Sequence, residues 1–392
     1  MSAAARAGAA GNPRLGFGIV CALINNVLVG VGSGIYFPLL PLRLDLMGES
    51  PASVGFHAVA SSIGVLLVAP YMSTWLSRLG APCVIAIGCA ASAVPAALML
   101  LEDSYWLWFF LRLVMGCGLA IHWVGSDAWL NQAATEKIRG RILSFYVVSY
   151  IGGVSGGSAL LNTFDLGGDA PFIAMSCCFG LALLPLFAAW RSGPVFLPSS
   201  KEASLRMFRV APVLMTVGVL IGLADGAAFA LIPLFAVLAG MTDHHAVWVM
   251  TSFLLGGSLM QFPIGWLSDV MDRRHVLILL AVVAVCVTPI LPFVMDGSPL
   301  TWILSGICGA AVIGLYAVSL GIIGRRFTGG DMAAANAVFV LCYEFGALTG
   351  APVGGGAMDI IGAPGLPIVM GVASALVLIA AILRGRRWIP KP

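Results

Sequence analysis

Apolar runs of about 20 residues recur along the whole chain, separated by short segments that hold most of the charge, proline and glycine. About 20 apolar residues in a helix are enough to cross the hydrocarbon of a bilayer, and twelve runs reach that length. Six lie at 17–39, 54–76, 83–101, 106–129, 142–164 and 172–190. A polar segment, 191–209, separates them from six more at 211–238, 247–267, 276–294, 300–323, 333–358 and 366–383. The pattern predicts an all-α membrane protein with twelve transmembrane helices.

The polar positions orient these helices. With the N-terminus in the cytoplasm, Arg6, Arg14, Arg78, Lys137, Arg139, Arg141, Arg191, Lys201, Arg206, Arg209, Arg273, Arg274, Arg325, Arg326, Arg384, Arg386, Arg387 and Lys391 all fall on the cytoplasmic side. Of the 20 basic residues this leaves only Arg43 and Arg112. The opposite loops carry acids: Asp45, Glu49, Glu102, Asp103, Asp165, Asp169, Asp243 and Asp296. A missed helix would scramble this alternation, so the count and the positive-inside orientation support each other. The expected location is a bacterial inner membrane, crossed many times, with both termini cytoplasmic.

Composition agrees. Of 392 residues 60% are hydrophobic and 9% charged, against about 25% charged in soluble domains. The net charge of +3 says nothing about partners. Cys21, Cys83, Cys89, Cys117, Cys177, Cys178, Cys286, Cys308 and Cys342 all sit in apolar runs without metal-ligand spacing, which reads as packing. The first run lacks a clear cleavage site and is read as a retained helix, not a signal peptide.

Two sets of six helices suggest duplication. Residues 27–42, VLVGVGSGIYFPLLPL, align without gaps on residues 219–234, VLIGLADGAAFALIPL, and eight of the sixteen positions are identical. Gly30, Gly34, Phe37 and Pro41 match Gly222, Gly226, Phe229 and Pro233. The expected domains are therefore a six-helix bundle at 1–190, a cytoplasmic linker at 191–209 and a second six-helix bundle at 210–392.

Loop motifs now bear on the class. The loop after the eighth run reads Gly265-Trp-Leu-Ser-Asp269-Val-Met-Asp272-Arg273-Arg274, and its first-half counterpart reads Ser73-Thr-Trp-Leu-Ser77-Arg78-Leu-Gly80. Arg112 precedes Gly116 and Gly118, and Gly350-Ala-Pro352-Val-Gly354-Gly355 stands in the eleventh run. Over essentially its whole length the chain resembles a major facilitator superfamily transporter. The 265–274 loop resembles the family's G-x-x-x-D…R-R motif, and Arg112 with Gly116 its helix-4 R-x-x-x-G element. The 350–355 segment is similar to the glycine-proline motif of antiporters. Two departures stand out: Ser77 replaces the acid of the first-half loop, and the glycine-proline element lies in helix 11 rather than helix 5. The segment Trp129-Leu-Asn131 with Arg139-Gly140-Arg141 resembles a poorly characterised bacterial branch, so no substrate comes with the resemblance.

An ionised side chain at the bilayer centre costs about 2.5–3.5 kcal/mol on insertion scales, so those that remain are candidates for function. Asp225 and Glu344 lie about 21 and 17 Å into their helices at the standard rise. That is mid-membrane, where transporter sites sit. The family's architecture lines its cavity with helices 1, 4, 7 and 10, which favours Asp225. A carboxyl there can bind a proton or a cationic group, or serve packing alone. Arg112 is the base buried within a span, about 10 Å from the outer face by helix rise. It can bind an anion, modulate a nearby carboxyl, or snorkel outward. His57 and His122 can titrate near neutrality or pack. Asn25, Asn26, Tyr36 and Tyr343 can hydrogen-bond a substrate. Asp127 with Arg78, Arg139 and Arg141 reads as an intracellular gate, and Asp269 with Arg273 and Arg274 as that of the second half. Trp106, Trp108 and Trp190 read as interfacial anchors.

No phosphate loop or nucleotide fingerprint is present, and neither an enzyme nor ATP coupling is expected. Cofactor, metal and nucleic acid are not implied. The expected partners of this monomer are a small-molecule substrate, protons and lipid. The leading expectation is proton-coupled export of a small organic solute by alternating access. Uptake of a nutrient such as a sugar or organic acid is the second reading, and a non-transporting receptor or assembly factor the third. The gate reading predicts that Asp269→Asn slows transport while substrate binding, measured by thermal shift, persists. Loss of binding in a folded variant would remove Asp269 from the gate.

Overall fold

The computed structural model describes residues 13–134, 139–194, 210–327 and 329–384. Arg6, Lys137, Lys201, Arg206, Arg209, Arg386, Arg387, Lys391 and most of the 191–209 linker lie outside the described residues, as do the side chains of Arg14, Arg139 and Arg384. Twelve helical spans follow in order. The first six are α1 (Pro13–Leu46), α2 (Pro51–Leu79), α3 (Ala81–Leu98), α4 (Tyr105–Ala133), α5 (Arg139–Leu161) and α6 (Ala170–Ala188). The second six are α7 (Pro212–Leu238), α8 (Asp243–Val270), α9 (Arg273–Phe293), α10 (Pro299–Arg326), α11 (Gly329–Ile361) and α12 (Gly365–Arg384). Eleven of these contain a stretch long and apolar enough to cross a membrane, and α5 holds a shorter one, Phe145–Leu161.

The helices are built as lipid requires. In hydrocarbon the backbone N–H and C=O groups must find partners within the helix, except opposite prolines inside a helix such as Pro38, Pro95, Pro233 and Pro352. Interruptions fall where proline removes a donor. A 3₁₀ turn at Ala69–Tyr71, holding Pro70, breaks α2, and another at Thr288–Phe293, with Pro289 and Pro292, ends α9. At the start of α9 the Asp272 carboxylate accepts from the Arg274 N–H at 2.9 Å, an N-cap. In the loop before α10, Asp296 accepts from Ser298 and Thr301, and the bonds from Ser298 above all hold its carboxyl below the usual range.

The chain forms two compact units. One holds Met1–Tyr36 and Ile63–Ser200, the other Phe37–Ser62 and Lys201–Pro392. The hairpin joining α1 and α2 thus belongs to the second unit, for reasons visible in its side chains. Phe37 meets Phe229 with ring centroids 5.4 Å apart. Gly55 lies against the Ala351 carbonyl and Gly355 against that of Pro51. Asp359 accepts from Ser50 Oγ at 3.1 Å and from the Ala52 N–H at 3.3 Å.

Within each unit the same helix pair packs through glycine. In the first, Gly30 and Gly34 of α1 lie against the carbonyls of Tyr150 and Val154 on α5, while Gly153 and Gly157 lie against those of Val27 and Val31. In the second, Gly222 and Gly226 of α7 lie against Tyr343 and Ala347 of α11, while Gly346 and Gly350 lie against Val219 and Leu223. These are equivalent positions of the repeat, α1 to α7 at an offset of 192 (30 to 222) and α5 to α11 at 193 (150 to 343). A second crossing repeats likewise: Gly64 of α2 meets Leu113 of α4, and Gly256 of α8 meets Gly306 of α10. In lipid no hydrophobic force draws helices together, so association relies on such close backbone packing.

Trp108 departs from its expected role. Its indole is fully buried against Phe172, with centroids 5.2 Å apart, whereas Trp106 and Trp190 are exposed as anchors should be. It lies on the packed face of α4, and its N–H is satisfied by the Glu102 carbonyl at 2.9 Å.

A side chain at Gly222 must displace the α11 backbone, whereas nothing lies within 4 Å of a Cβ built at Gly156. Gly222→Val is expected to destabilise by about 3 kcal/mol or to prevent folding. Gly156→Ala is expected to be neutral or to stabilise by about 0.5–1 kcal/mol. Thermal unfolding of the purified variants measures both.

Candidate functional site

Each unit buries a charged side chain that hydrogen-bonds a tyrosine. In the first unit Arg112 of α4 is 5% exposed, and its Nε donates to Tyr36 Oη of α1 at 3.1 Å. Its guanidinium carbon lies 5.5 Å from the Tyr36 ring centre, which adds a cation–π contribution. In the second unit Asp225 of α7 is 2% exposed, and Tyr343 Oη of α11 donates to its Oδ2 at 3.1 Å. Asp225 Oδ1 is buried with no hydrogen-bond partner among the described residues. Glu344 follows Tyr343 on α11 and is half-buried.

The repeat places these groups in complementary fashion. Asp225 of α7 corresponds to Ser33 of α1 (33 plus 192), and Arg112 of α4 corresponds to Ser305 of α10 (112 plus 193). Both serines are buried. Tyr150, beside Ser33, corresponds to Tyr343 beside Asp225. Each unit therefore carries a charge where the other carries a hydroxyl on the same scaffold. Since serine fills both positions, neither charge is a packing requirement of the helix crossing.

The amide of Asn25 is committed to protein groups. Its Nδ2 donates to the Ala182 carbonyl at 2.8 Å and to Cys89 Sγ at 3.3 Å. Its Oδ1 lies 2.9 Å from His122 Nε2, so that nitrogen carries the proton, because an amide oxygen only accepts. One side chain thus ties α1 to α3, α4 and α6. Asn26 donates to the Tyr146 carbonyl and to Ser149 Oγ, both at 2.8 Å, while its Oδ1 is left without a partner among the described residues. His57 is fully buried in the α2 segment that belongs to the second unit.

Among the residues read as gates, Asp127, Asp269, Arg273 and Arg274 make contacts within their own units. The Asp127 carboxylate accepts from Asn131 one turn on, at 3.1 Å. Among the described residues no ion pair joins it to Arg78 or Arg141, both exposed. Asp269 lies 3.7 Å from Arg273. Arg273 also donates to the carbonyls of Ser268 and Gly321. Arg274 donates at 3.0 Å to both Ala381 and Ile382 carbonyls, capping the last turn of α12, where carbonyls lack helical partners.

Sequence reasoning overlooked Tyr150 and Ser305. The signal was present: α5 and α11 share Tyr-x-x-Gly-x-x-x-Gly, at 150–157 and 343–350. It escapes a search at the 192 offset because these helices are displaced by one further residue.

Two six-helix repeats joined through matched glycine crossings make a polytopic membrane protein. The Major Facilitator Superfamily model matches residues 22–247 and 214–392, and the chain belongs to that family. It is 26% identical over 388 residues to YfkF of Bacillus subtilis, described as an uncharacterised MFS-type transporter, covering 96% of this chain and 97% of that one. It is 24% identical over 375 residues to YcaD of Escherichia coli, described likewise, covering 93% and 95%. Its fold is similar to those of the nucleoside transporter NupG, a bacterial homologue of the lysosomal transporter Spinster, and the fucose:proton symporter FucP. Their TM-scores are 0.77, 0.76 and 0.63, at 13%, 13% and 17% identity. These cover 93%, 97% and 96% of this chain and 99%, 99% and 98% of theirs.

Removing Asn25 strands the Ala182 carbonyl and the His122 N–H inside the first unit. Asn25→Ala is expected to destabilise the protein by about 2–4 kcal/mol, the cost of one to two buried unsatisfied groups. Comparison of its thermal unfolding midpoint with that of the parent protein is the check, and an unchanged midpoint would show that Asn25 is not a structural tie.

Proposed function

We propose that the protein exports a small organic solute across the cytoplasmic membrane by alternating access, driven by protons, and that Asp225 is the group that loads and releases the coupling proton. The observation that carries this reading is the exchange between repeats. The scaffold folds with Ser33 at one crossing, so the buried carboxyl at the other serves something besides folding. A carboxyl in low dielectric is costly when ionised and unpaired. It is therefore suited to alternate between proton-bound and ligand-bound states as its exposure changes. Glu344, next to Tyr343 and less buried, assists. Arg112 with Tyr36 supplies a buried cation in the first unit and contributes to solute orientation.

Export is the direction we favour, on the glycine-proline segment of α11, where Pro352 lies inside the helix. The cytoplasmic termini and inner-membrane location rest on the charge asymmetry of the loops. Asp269, Arg273 and Arg274 act in the conformational cycle through the ties they make at the ends of α8, α10 and α12.

A solute identified by thermal-shift screening of the purified protein serves for flux assays in proteoliposomes. With an imposed pH gradient, Asp225→Asn is expected to reduce driven transport to the level of empty liposomes while leaving equilibrium exchange partly intact. Asp225→Ser, which copies Ser33, should fold normally and behave the same way. Glu344→Gln should act more mildly. Unchanged gradient-driven flux in Asp225→Asn removes it as the coupling group, and unchanged flux in the double variant removes proton coupling through these acids.

A further inference from the structure

Asp225 has one oxygen engaged and one free. Tyr343 holds Oδ2 at 3.1 Å, and Oδ1 is buried without a partner. Next to it stands an aromatic wall. The rings of Tyr343 and Tyr316 lie 4.8 Å apart at 56°, and Tyr316 meets Phe339 at 5.9 Å. Both tyrosines are half-buried, so this wall borders on accessible space while the carboxyl is enclosed.

Charge in this unit is unbalanced at the same place. No basic side chain pairs with Asp225 or Glu344 among the described residues. Arg273, Arg274 and Arg326 are engaged with backbone carbonyls at helix ends. The titratable groups around the carboxyl are Tyr343 and Cys308, with Glu344 and Tyr316 facing Tyr343, and none of them is a base that could neutralise it. An anionic solute here would meet a carboxylate without compensation. A neutral solute can hydrogen-bond Oδ1 but leaves the carboxylate's charge without a countercharge once its proton departs. A cation satisfies both conditions, since it replaces the proton charge for charge.

We propose that Oδ1 of Asp225 and the faces of Tyr343 and Tyr316 form the binding site for a monovalent organic cation, an ammonium or guanidinium group carried on an apolar body. The proposal rests on the coupling role given above to Asp225 and assigns the solute class of that site. Cation and proton compete for one carboxyl. When the cation arrives, the carboxylic O–H breaks, its proton goes to solvent, and the carboxylate forms an ion pair with the cation. When the proton returns, the cation leaves. The aromatic faces hold the cation through their quadrupoles, the mode by which quaternary ammonium ligands are recognised. Tyr343 fixes which oxygen is offered.

The test uses the purified full-length chain in weakly buffered detergent solution, with a pH indicator and calorimetry read together over an acid-to-alkaline series. The probes are benzyltrimethylammonium, phenylguanidinium and tetraphenylphosphonium, against benzoate and benzyl alcohol as anionic and neutral counterparts. Saturable binding of at least one cation with release of a proton is expected. It should vanish in Asp225→Asn and weaken about fivefold in Tyr316→Ala, while Tyr316→Phe retains it. Tyr150→Phe, at the equivalent crossing of the first unit, should bind as the parent does. Absence of proton release with all three cations, or binding and release unchanged in Asp225→Asn, overturns the proposal. Preferential binding of benzoate or benzyl alcohol overturns it equally. If Asp225→Asn abolishes gradient-driven flux but cations neither bind nor release protons, the solute class alone falls. If flux persists in that variant, the coupling role falls with it.

Discussion

Backbone-to-backbone packing through glycine is the constraint on which the structure depends. Lipid is as apolar as the side chains it surrounds, so helices gain little by hiding leucine from it. They gain instead from dispersion contacts, which grow steeply as backbones approach. At Gly30, Gly34, Gly153 and Gly157, and again at Gly222, Gly226, Gly346 and Gly350, a Cβ would strike a carbonyl of the facing helix. The two crossings use the same positions, so both copies of the repeat bring their helices to the same close register. This register places residue 33 beside Tyr150 and residue 225 beside Tyr343.

The two copies of the repeat differ in charge at these matched positions. Serine at residues 33 and 305 shows what these crossings tolerate as packing. Aspartate and arginine at the equivalent positions of the other copy are the asymmetric additions. Asn25 and His122 are read from their contacts instead: they are bonded to each other, and Asn25 also donates to neighbouring helices. Their hydrogen bonds hold α1, α3, α4 and α6 together.

The fold was largely legible in the sequence. Runs of about 20 apolar residues have one structural outcome in lipid, because every backbone group must be paired locally. The alternation of arginines with acids supported the same count of spans. The ungapped match of residues 27–42 with 219–234 exposed half of the duplication. Its other half, the tyrosine and glycines of α5 and α11, was hidden by a one-residue change of offset. Trp108 was misread because position near a helix end does not reveal which face of the helix is packed.

The sequence by itself determined the number of helices and the presence of two acids inside their apolar runs, since these follow from local hydropathy. The tertiary structure alone decided what each polar group touches. That Arg112 meets Tyr36, that Tyr343 engages one oxygen of Asp225 and leaves the other free, and that residues 37–62 pack with the second unit are all contacts between residues far apart in the chain. Helix period and composition constrain the face on which a residue lies, but the partner across the gap is chosen by how closely two backbones can approach, and that is set by the fold as a whole.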